Sequence, residues 1–215
     1  MSSVGNALRR TADVLTDLGH ERGIDWLTYN PLRMAQFHSA ARRNAPAFVD
    51  GLQAVFPDAR RYVDVGCGSG AYLAEATRRG LDAVGCERSR VGRLIARAQR
   101  ADARPFDLTR TPPARIAGPF DVAYSIEVAE HLPPELGDRL VRLVCELAPL
   151  VVFAAATPGQ GGTGHVNEQP PEYWERRFRE RGYSPRPDAT ETLHAVLRAA
   201  GTDFWLFNAS VFAAG

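Results

Sequence analysis

The chain has 215 residues, 45% of them apolar and 24% charged, with a formal net charge of +1. That is enough chain to bury one sizeable core, and a balance so close to neutral gives no electrostatic argument for a nucleic-acid or anionic-membrane partner. No apolar run reaches the ~18 residues of a bilayer span, the N-terminus lacks a secretory apolar stretch, and the three cysteines (Cys67, Cys86, Cys145) lie far apart with no C-x-x-C pair, so a cytoplasmic protein is expected.

From Ser3 to about Phe56 apolar residues recur at three- and four-residue intervals, which predicts helices with a break at Asn30-Pro31. Pro31 suits the first turn of the second helix, because it has no amide hydrogen to leave unbonded. Residues 1–56 read as a helical cap and 57–215 as the body of one structural domain. From Arg61 the pattern alternates. RYVDV (61–65) reads as a strand, about Ala71 to Arg79 as a helix, and LDAVGC as the second strand. About Arg88 to Arg100 is the next helix, with Val91, Leu94, Ile95 and Ala98 on one face. A weak strand near Ala103–Phe106 follows, then FDVAYS (120–125) and LVVFAAA (150–156). TPGQGGTGHVNEQPP is too rich in Gly and Pro to be regular. Beyond it come a helix PEYWERRFRERG, a strand near Tyr183, a helix containing Leu193, Val196 and Leu197, and a final strand FWLFNASVFAA, within which Asn208 is expected to make a structural hydrogen bond. Strands alternating with helices of this length predict an α/β fold with right-handed crossovers: seven strands, mostly parallel, the last antiparallel.

In YVDVGCGSGAY (62–72), glycines at 66, 68 and 70 follow the first strand, where a ligand in an open parallel sheet meets bare backbone. Gly66, Gly68 and Ala71 satisfy the spacing of a dinucleotide fingerprint, and Glu87, at the end of the second strand, suits the ribose hydroxyls of either a dinucleotide or S-adenosylmethionine. Asp64 separates the two. A carboxylate two residues before the first glycine opposes a pyrophosphate on the loop and favours a ligand carrying an ammonium and a sulfonium.

D-V-G-C-G-S-G resembles the first motif of class I S-adenosylmethionine-dependent methyltransferases, and Glu87 matches that family's acidic residue after the second strand. Asp107-Leu108 in RPFDLTR matches its acidic position near the adenine amine, and FDVAYSIEVAEHL resembles its fourth-strand block. The resemblance spans roughly Arg61 to Leu140. It implies a Rossmann-like catalytic domain over 57–215 and cofactor contacts at Asp64, Gly66, Cys67, Gly68, Gly70, Glu87, Asp107, Leu108, Ser125 and Ile126. It also implies methyl transfer to a small molecule, at a hydroxyl, as in the ubiquinone-biosynthesis O-methyltransferases. The N-P-L-R of residues 30–33 resembles a segment of those same enzymes and would set Arg33 against the cofactor's carboxylate.

The second informative stretch is SIEVAEHLPPE. Glu127, Glu130 and His131 fall at i, i+3 and i+4, so on a helix they share a face just past the fourth strand. His165, in the loop after the fifth strand, belongs on the same side of the sheet. Three roles are open. The group is a structural or substrate-orienting network; or His165, before His131, is the general base that a hydroxyl acceptor needs, with Glu127 beside it; or Glu127, Glu130, His131 and His165 hold a divalent ion. The last resembles the small-RNA 3′-terminal 2′-O-methyltransferases, although this chain lacks their second adjacent downstream histidine and an RNA-binding domain. All 26 basic residues are arginine, a bias that GC-rich coding DNA accounts for, so the arginines at 176, 177, 179 and 181 make no case for RNA. A non-catalytic cofactor-binding module is the alternative from another class.

Trp26 and Phe37 are expected in the core of the N-terminal helices, and Tyr173 and Trp174 are expected to dock their helix on the sheet rather than line a pocket. His20, His38 and His194 have no partner in the sequence and read as surface or core histidines.

Overall fold

The computed structural model describes residues 3–22, 24–110, 116 and 118–215. Helices α1 (Ser3–Arg22), α2 (Asp25–Thr28) and α3 (Pro31–Val55) precede strand β1 (Arg61–Val65). The alternating region runs α4 (Ala71–Arg78), β2 (Asp82–Glu87), α5 (Arg90–Ala98), β3 (Asp102–Pro105), β4 (Val122–Ile126), α6 (Pro134–Leu147) and β5 (Leu150–Ala154). It closes with α7 (Pro171–Arg179), β6 (Tyr183–Pro185), α8 (Pro187–Ala199) and β7 (Ser210–Ala214). The break at Asn30-Pro31 is a helix start: the Asn30 side chain accepts from the Arg33 backbone N–H at 3.0 Å, and Pro31 takes the first turn. Ser89 caps α5 in the same manner, accepting from Gly92 N–H at 3.0 Å.

The seven strands form one sheet in the order β3-β2-β1-β4-β5-β7-β6. Pairing is parallel from β3 to β5, whereas β7 runs antiparallel to both β5 and β6. The order reverses between β1 and β4, so a crevice opens beyond their carboxyl ends. Period-two alternation sorts β1 between two cores. Tyr62 faces Phe48, Leu52, Leu73, Leu193 and Leu197 from α3, α4 and α8. Val63 and Val65 face Leu140, Val141, Val144 and Phe178 from α6 and α7. The second half of α3 therefore lies in the sheet's own core, while its first half covers the crevice. Each fully buried Leu or Phe of these clusters contributes roughly 1.5–3 kcal/mol relative to exposure.

Three expectations fail in instructive ways. FWLFNASVFAA is strand only from Ser210; Phe204–Asn208 is a 3-10 turn. Its aromatic run has strand propensity, but the turn is pinned from outside. Asp203 N–H donates to Asn44 Oδ1 at 3.1 Å, and Asn44 Nδ2 donates back to Asp203 Oδ2 at 2.7 Å. Second, Trp26 is 68% exposed and Phe37 42% exposed, so neither is a core residue. Third, Glu127, Glu130 and His131 share no helix: Ala129–His131 is a single 3-10 turn, and Glu127 sits at φ 55. Trp174 is buried against Phe153, with ring centroids 5.1 Å apart, and docks α7 as expected; Tyr173 is partly buried against the same core, beneath the guanidinium of Arg177 on its own helix.

Asn44 is buried and holds the turn to α3 by two hydrogen bonds. Asn44→Ala removes both hydrogen bonds, while the half-buried Asp203 carboxylate keeps Arg43 and solvent, and should cost about 0.5–1.5 kcal/mol in urea unfolding. An unchanged midpoint would show that the turn is held by packing alone.

Candidate active site

The crevice at the carboxyl ends of β1 and β4 is a single cavity of about 490 Å³. Its floor is the loop after β1 and the residues that follow β4. α3 covers it from one side, and the glycine-rich loop after β5 from the other.

At the β1 end, Asp64 is 2% exposed, and its Oδ2 has no hydrogen-bond partner in good geometry among the described residues. Burial pushes its carboxyl well above the usual range, and the nearby Glu87 charge adds to that. A buried carboxyl left so is costly unless a cationic ligand meets it. Glu87 spans the loop: Oε2 accepts from Gly68 N–H at 2.7 Å and Oε1 from Ser89 N–H at 2.5 Å. Burial raises it to about 7, against the pull of those two N–H groups. Its remaining lone pairs can still take ribose hydroxyls. Gly68 has φ +54, and a Cβ there would meet nothing within 4 Å, so the backbone is bare toward the cavity. Phe106, Asp107, Leu108 and Leu140 line the far end as a mostly apolar slot. An ammonium-bearing, phosphate-free nucleoside fits this arrangement: orphaned acid, bare glycine, ribose acceptor and apolar slot in that order.

At the β4 end, Glu127 is fixed by Gln160 Nε2, which donates to Oε2 at 3.0 Å, and by Asn208 Nδ2, which donates to Oε1 at 3.2 Å. Glu130 is fully buried, with neither carboxyl oxygen hydrogen-bonded in good geometry among the described residues; burial and the Glu127 charge push it well up. Its backbone carbonyl accepts from both Val166 N–H (2.8 Å) and Asn167 N–H (3.0 Å), which brings the His165 loop down onto the β4 end. His131 Nδ1–H donates to the Gly164 carbonyl at 3.2 Å, and the His131 and His165 rings meet edge to face at 4.9 Å.

His165 has a partner that the sequence reading passed over. Its Nδ1–H donates to Glu168 Oε1 at 2.7 Å. Glu168 also accepts from Gly159 N–H at 2.9 Å and Gly161 N–H at 2.7 Å, and its hydrogen bond with His165 holds its carboxyl below the usual value. The available signal was the H-x-x-E spacing in HVNE, with glycines upstream to supply bare N–H groups. The ring rests on Gly162, where a Cβ would stand 2.3 Å from Nε2; only glycine lets it lie there.

Of the expected site residues, Asp64, Gly66, Cys67, Gly68, Glu87, Asp107, Leu108, Ile126, Glu127, His131 and His165 all line the cavity, and so does Glu130. Two do not. Gly70 is the left-handed start of α4, and Ser125 is fully buried with Oγ donating to the Val65 carbonyl at 2.8 Å, tying β4 to β1. Asn208 is no strand residue; it sits in the 204–208 turn and holds Glu127. Arg33 lines the cavity, but its guanidinium is engaged by Asp13 at 2.5 Å, and Thr163 of the glycine-rich loop reaches the same Asp13 oxygen at 3.4 Å. His38 Nδ1 lies 3.1 Å from Ser69 Oγ in the loop after β1, where burial and Arg42 lower its pKa, and His194 Nε2–H donates to the Ala209 carbonyl. The His20 side chain lies outside the described residues.

The "Methyltransferase domain" family profile matches residues 37–201. An "Uncharacterized methyltransferase" of Mycobacterium sp. (strain JLS) is 29% identical over 193 residues, covering 84% of this chain and 75% of that protein. Among solved structures, the fold is similar to the sugar N-methyltransferase KedS8 from Streptoalloteichus sp ATCC 53650, with TM-score 0.59, 16% identity, and 80% of this chain and 86% of that one covered. It is also similar to SAM-bound CalS10, an amino pentose methyltransferase from Micromonospora echinaspora, with TM-score 0.56, 17% identity, and coverages of 80% and 89%. No described helix is long and apolar enough to cross a membrane. With the profile spanning most of the chain and the crevice built for a cationic nucleoside, this protein belongs to the methyltransferase domain family and is an S-adenosylmethionine-dependent enzyme.

Proposed function

We propose that the chain methylates a hydroxyl of a small-molecule acceptor, with His165 as general base. The observation that carries this reading is the 2.7 Å hydrogen bond from His165 Nδ1–H to Glu168 at the cavity wall. It commits the neutral ring's lone pair to Nε2, which can take the acceptor's proton. Asp64, Gly66, Cys67, Gly68 and Glu87 would hold the amino-acid and ribose parts of S-adenosylmethionine, with Asp107 and Leu108 at its adenine and Ile126 between. The cofactor supplies a methyl group made electrophilic by its sulfonium. Glu127, locked by Gln160 and Asn208, and His131, locked by the Gly164 carbonyl, keep fixed polar groups beside the reacting oxygen. The non-catalytic module considered above does not survive the family assignment.

One observation favours a second reading, metal-assisted transfer to the terminal ribose of an RNA. Ligand atoms of Glu130, His131 and His165 lie within 4.8 Å of one another, though Glu127 is not in that set. Oxygen and imidazole donors suit Mg²⁺, Mn²⁺ or Fe²⁺. Turnover measured with and without EDTA after gentle purification separates the two: an unchanged rate supports the imidazole base, and loss restored by one divalent ion supports the metal.

His165→Ala should lower kcat by ~10²–10⁴ and leave the Kd for S-adenosylhomocysteine unchanged in calorimetry. Glu168→Gln should lower kcat in the same direction while sparing that Kd. A His165 variant with normal turnover ends the base assignment.

The cradle has its own signature. Burial raises Glu87 from 4.5 to about 7 in the folded state, so folded protein binds this proton more tightly than unfolded chain does. The contribution is therefore greatest below pH 4.5 and is lost as the pH rises through 7. Without cofactor, urea midpoints should fall across that window, and Glu87→Gln should make the fall shallower. Parallel pH curves for the two proteins would contradict a buried, proton-holding Glu87.

A further inference from the structure

Beyond the cofactor cradle and the carboxylate–histidine cluster, the cavity has a third wall that no residue used so far explains. Phe37, Ala40 and Ala41 line it from α3, at i, i+3 and i+4 on one helix face. Phe204 and Trp205 line it from the 3-10 turn. Phe37 is 42% and Phe204 70% exposed, an aromatic surface continuous with the cavity; the Arg33 guanidinium lies 5.5 Å from the centroid of the Phe37 ring. None of these five side chains carries a charge, and apart from the indole N–H of Trp205 none can donate or accept a hydrogen bond. The two alanines keep the helix surface low between Phe37 and the turn.

The spacing of the two walls is fixed. Asn44 and Asp203 exchange two hydrogen bonds between α3 and the start of the turn, and Arg43 adds a third to Asp203 at 3.3 Å. The charges of Arg43 and Asp203 are thus turned on one another, and that of Arg33, beside Phe37, is held by Asp13. Polar groups return at the base of this compartment, where Asn208 of the same turn donates to Glu127 and to Gln160 Oε1 at 2.8 Å. One end is apolar and aromatic and the other is polar and adjoins the proposed base. A ligand matched to both is flat and uncharged, and carries its hydroxyl on one edge.

We propose that the α3/204–208 compartment is the acceptor subsite and that it takes an aryl alcohol, its ring against Phe37 and Phe204 and its hydroxyl toward Glu127 and His165. This rests on the small-molecule reading above and narrows it: the five side chains of the wall offer a sugar's hydroxyls one hydrogen-bonding group, the Trp205 indole N–H.

The test needs no turnover, so it stands apart from the fate of His165. Protein saturated with S-adenosylhomocysteine is titrated with phenol, catechol and 1-naphthol, and in separate arms with methyl α-glucoside and uridine, by calorimetry. At least one aryl alcohol should bind, with Phe37→Ser and Phe204→Ser each weakening it roughly tenfold and leaving the affinity for S-adenosylhomocysteine unchanged. Both positions are exposed, so these replacements spare the buried core. The proposal is overturned if none of the three aryl alcohols binds, if both variants bind as wild type does, or if only the glucoside or only uridine binds. The last outcome would point to a ribose acceptor.

Discussion

A buried carboxylate needs either a proton or a positive charge beside it, and no cation among the described residues acts strongly on Asp64. It stands next to last in β1, walled in by the sheet, with one oxygen unpaired among the described residues and Glu87 as a second acid nearby. Two acids so close would repel if both ionised. The arrangement makes sense when a cationic ligand is the missing partner, and the bare loop at Gly68 and the apolar slot toward Leu140 extend that logic along the crevice. Everything else in the site is arranged around what this pair of acids will accept.

The second constraint is how a loop after β5 comes to sit over residues after β4. The backbone does this before any side chain is involved, since the Glu130 carbonyl takes both the Val166 and Asn167 N–H groups. Glu168 then gathers the glycines at 159 and 161, and the His165 ring settles on Gly162. The glycine-rich composition is therefore structural: it exposes N–H donors for one carboxylate and leaves room for one imidazole. On the other flank, Asp13 joins Arg33 of α3 to Thr163 of the same loop, so the N-terminal helices and the glycine-rich loop share an anchor.

The parallel core of the sheet was legible because β1, β2, β4 and β5 are short, largely apolar runs bounded by turn residues, and because the glycine loop and Glu87 fall where β1 and β2 end. The cavity lining at Gly66, Gly68 and Glu87 was legible for the same reason, as strand ends dictate those positions, whereas Asp107, Leu108 and Ile126 were expected there through the family resemblance. The failures were tertiary. FWLF carries strand propensity, and what holds it as a turn lies far away in sequence: the Asn44–Asp203 exchange across 159 positions, the burial of Leu206 and the bonds of Asn208 to Glu127 and Gln160. The i, i+3, i+4 spacing of Glu127, Glu130 and His131 suggested a helix, yet convergence is achieved by a left-handed residue and a single tight turn. Ser125 looked exposed to the crevice by its place at a strand end, but its hydroxyl is spent on the neighbouring strand. Phe37 fits an amphipathic pattern, but a helix that covers a cavity shows aromatic surface that a core helix would hide; Trp26 stands exposed on the four-residue α2, away from the cavity lining.

One carboxylate both staples the 159–161 backbone and bonds the His165 imidazole, so the fold of this loop and the orientation of that ring have a common origin. A change at Glu168 therefore reaches backbone and side chain together: the two cannot be loosened one at a time.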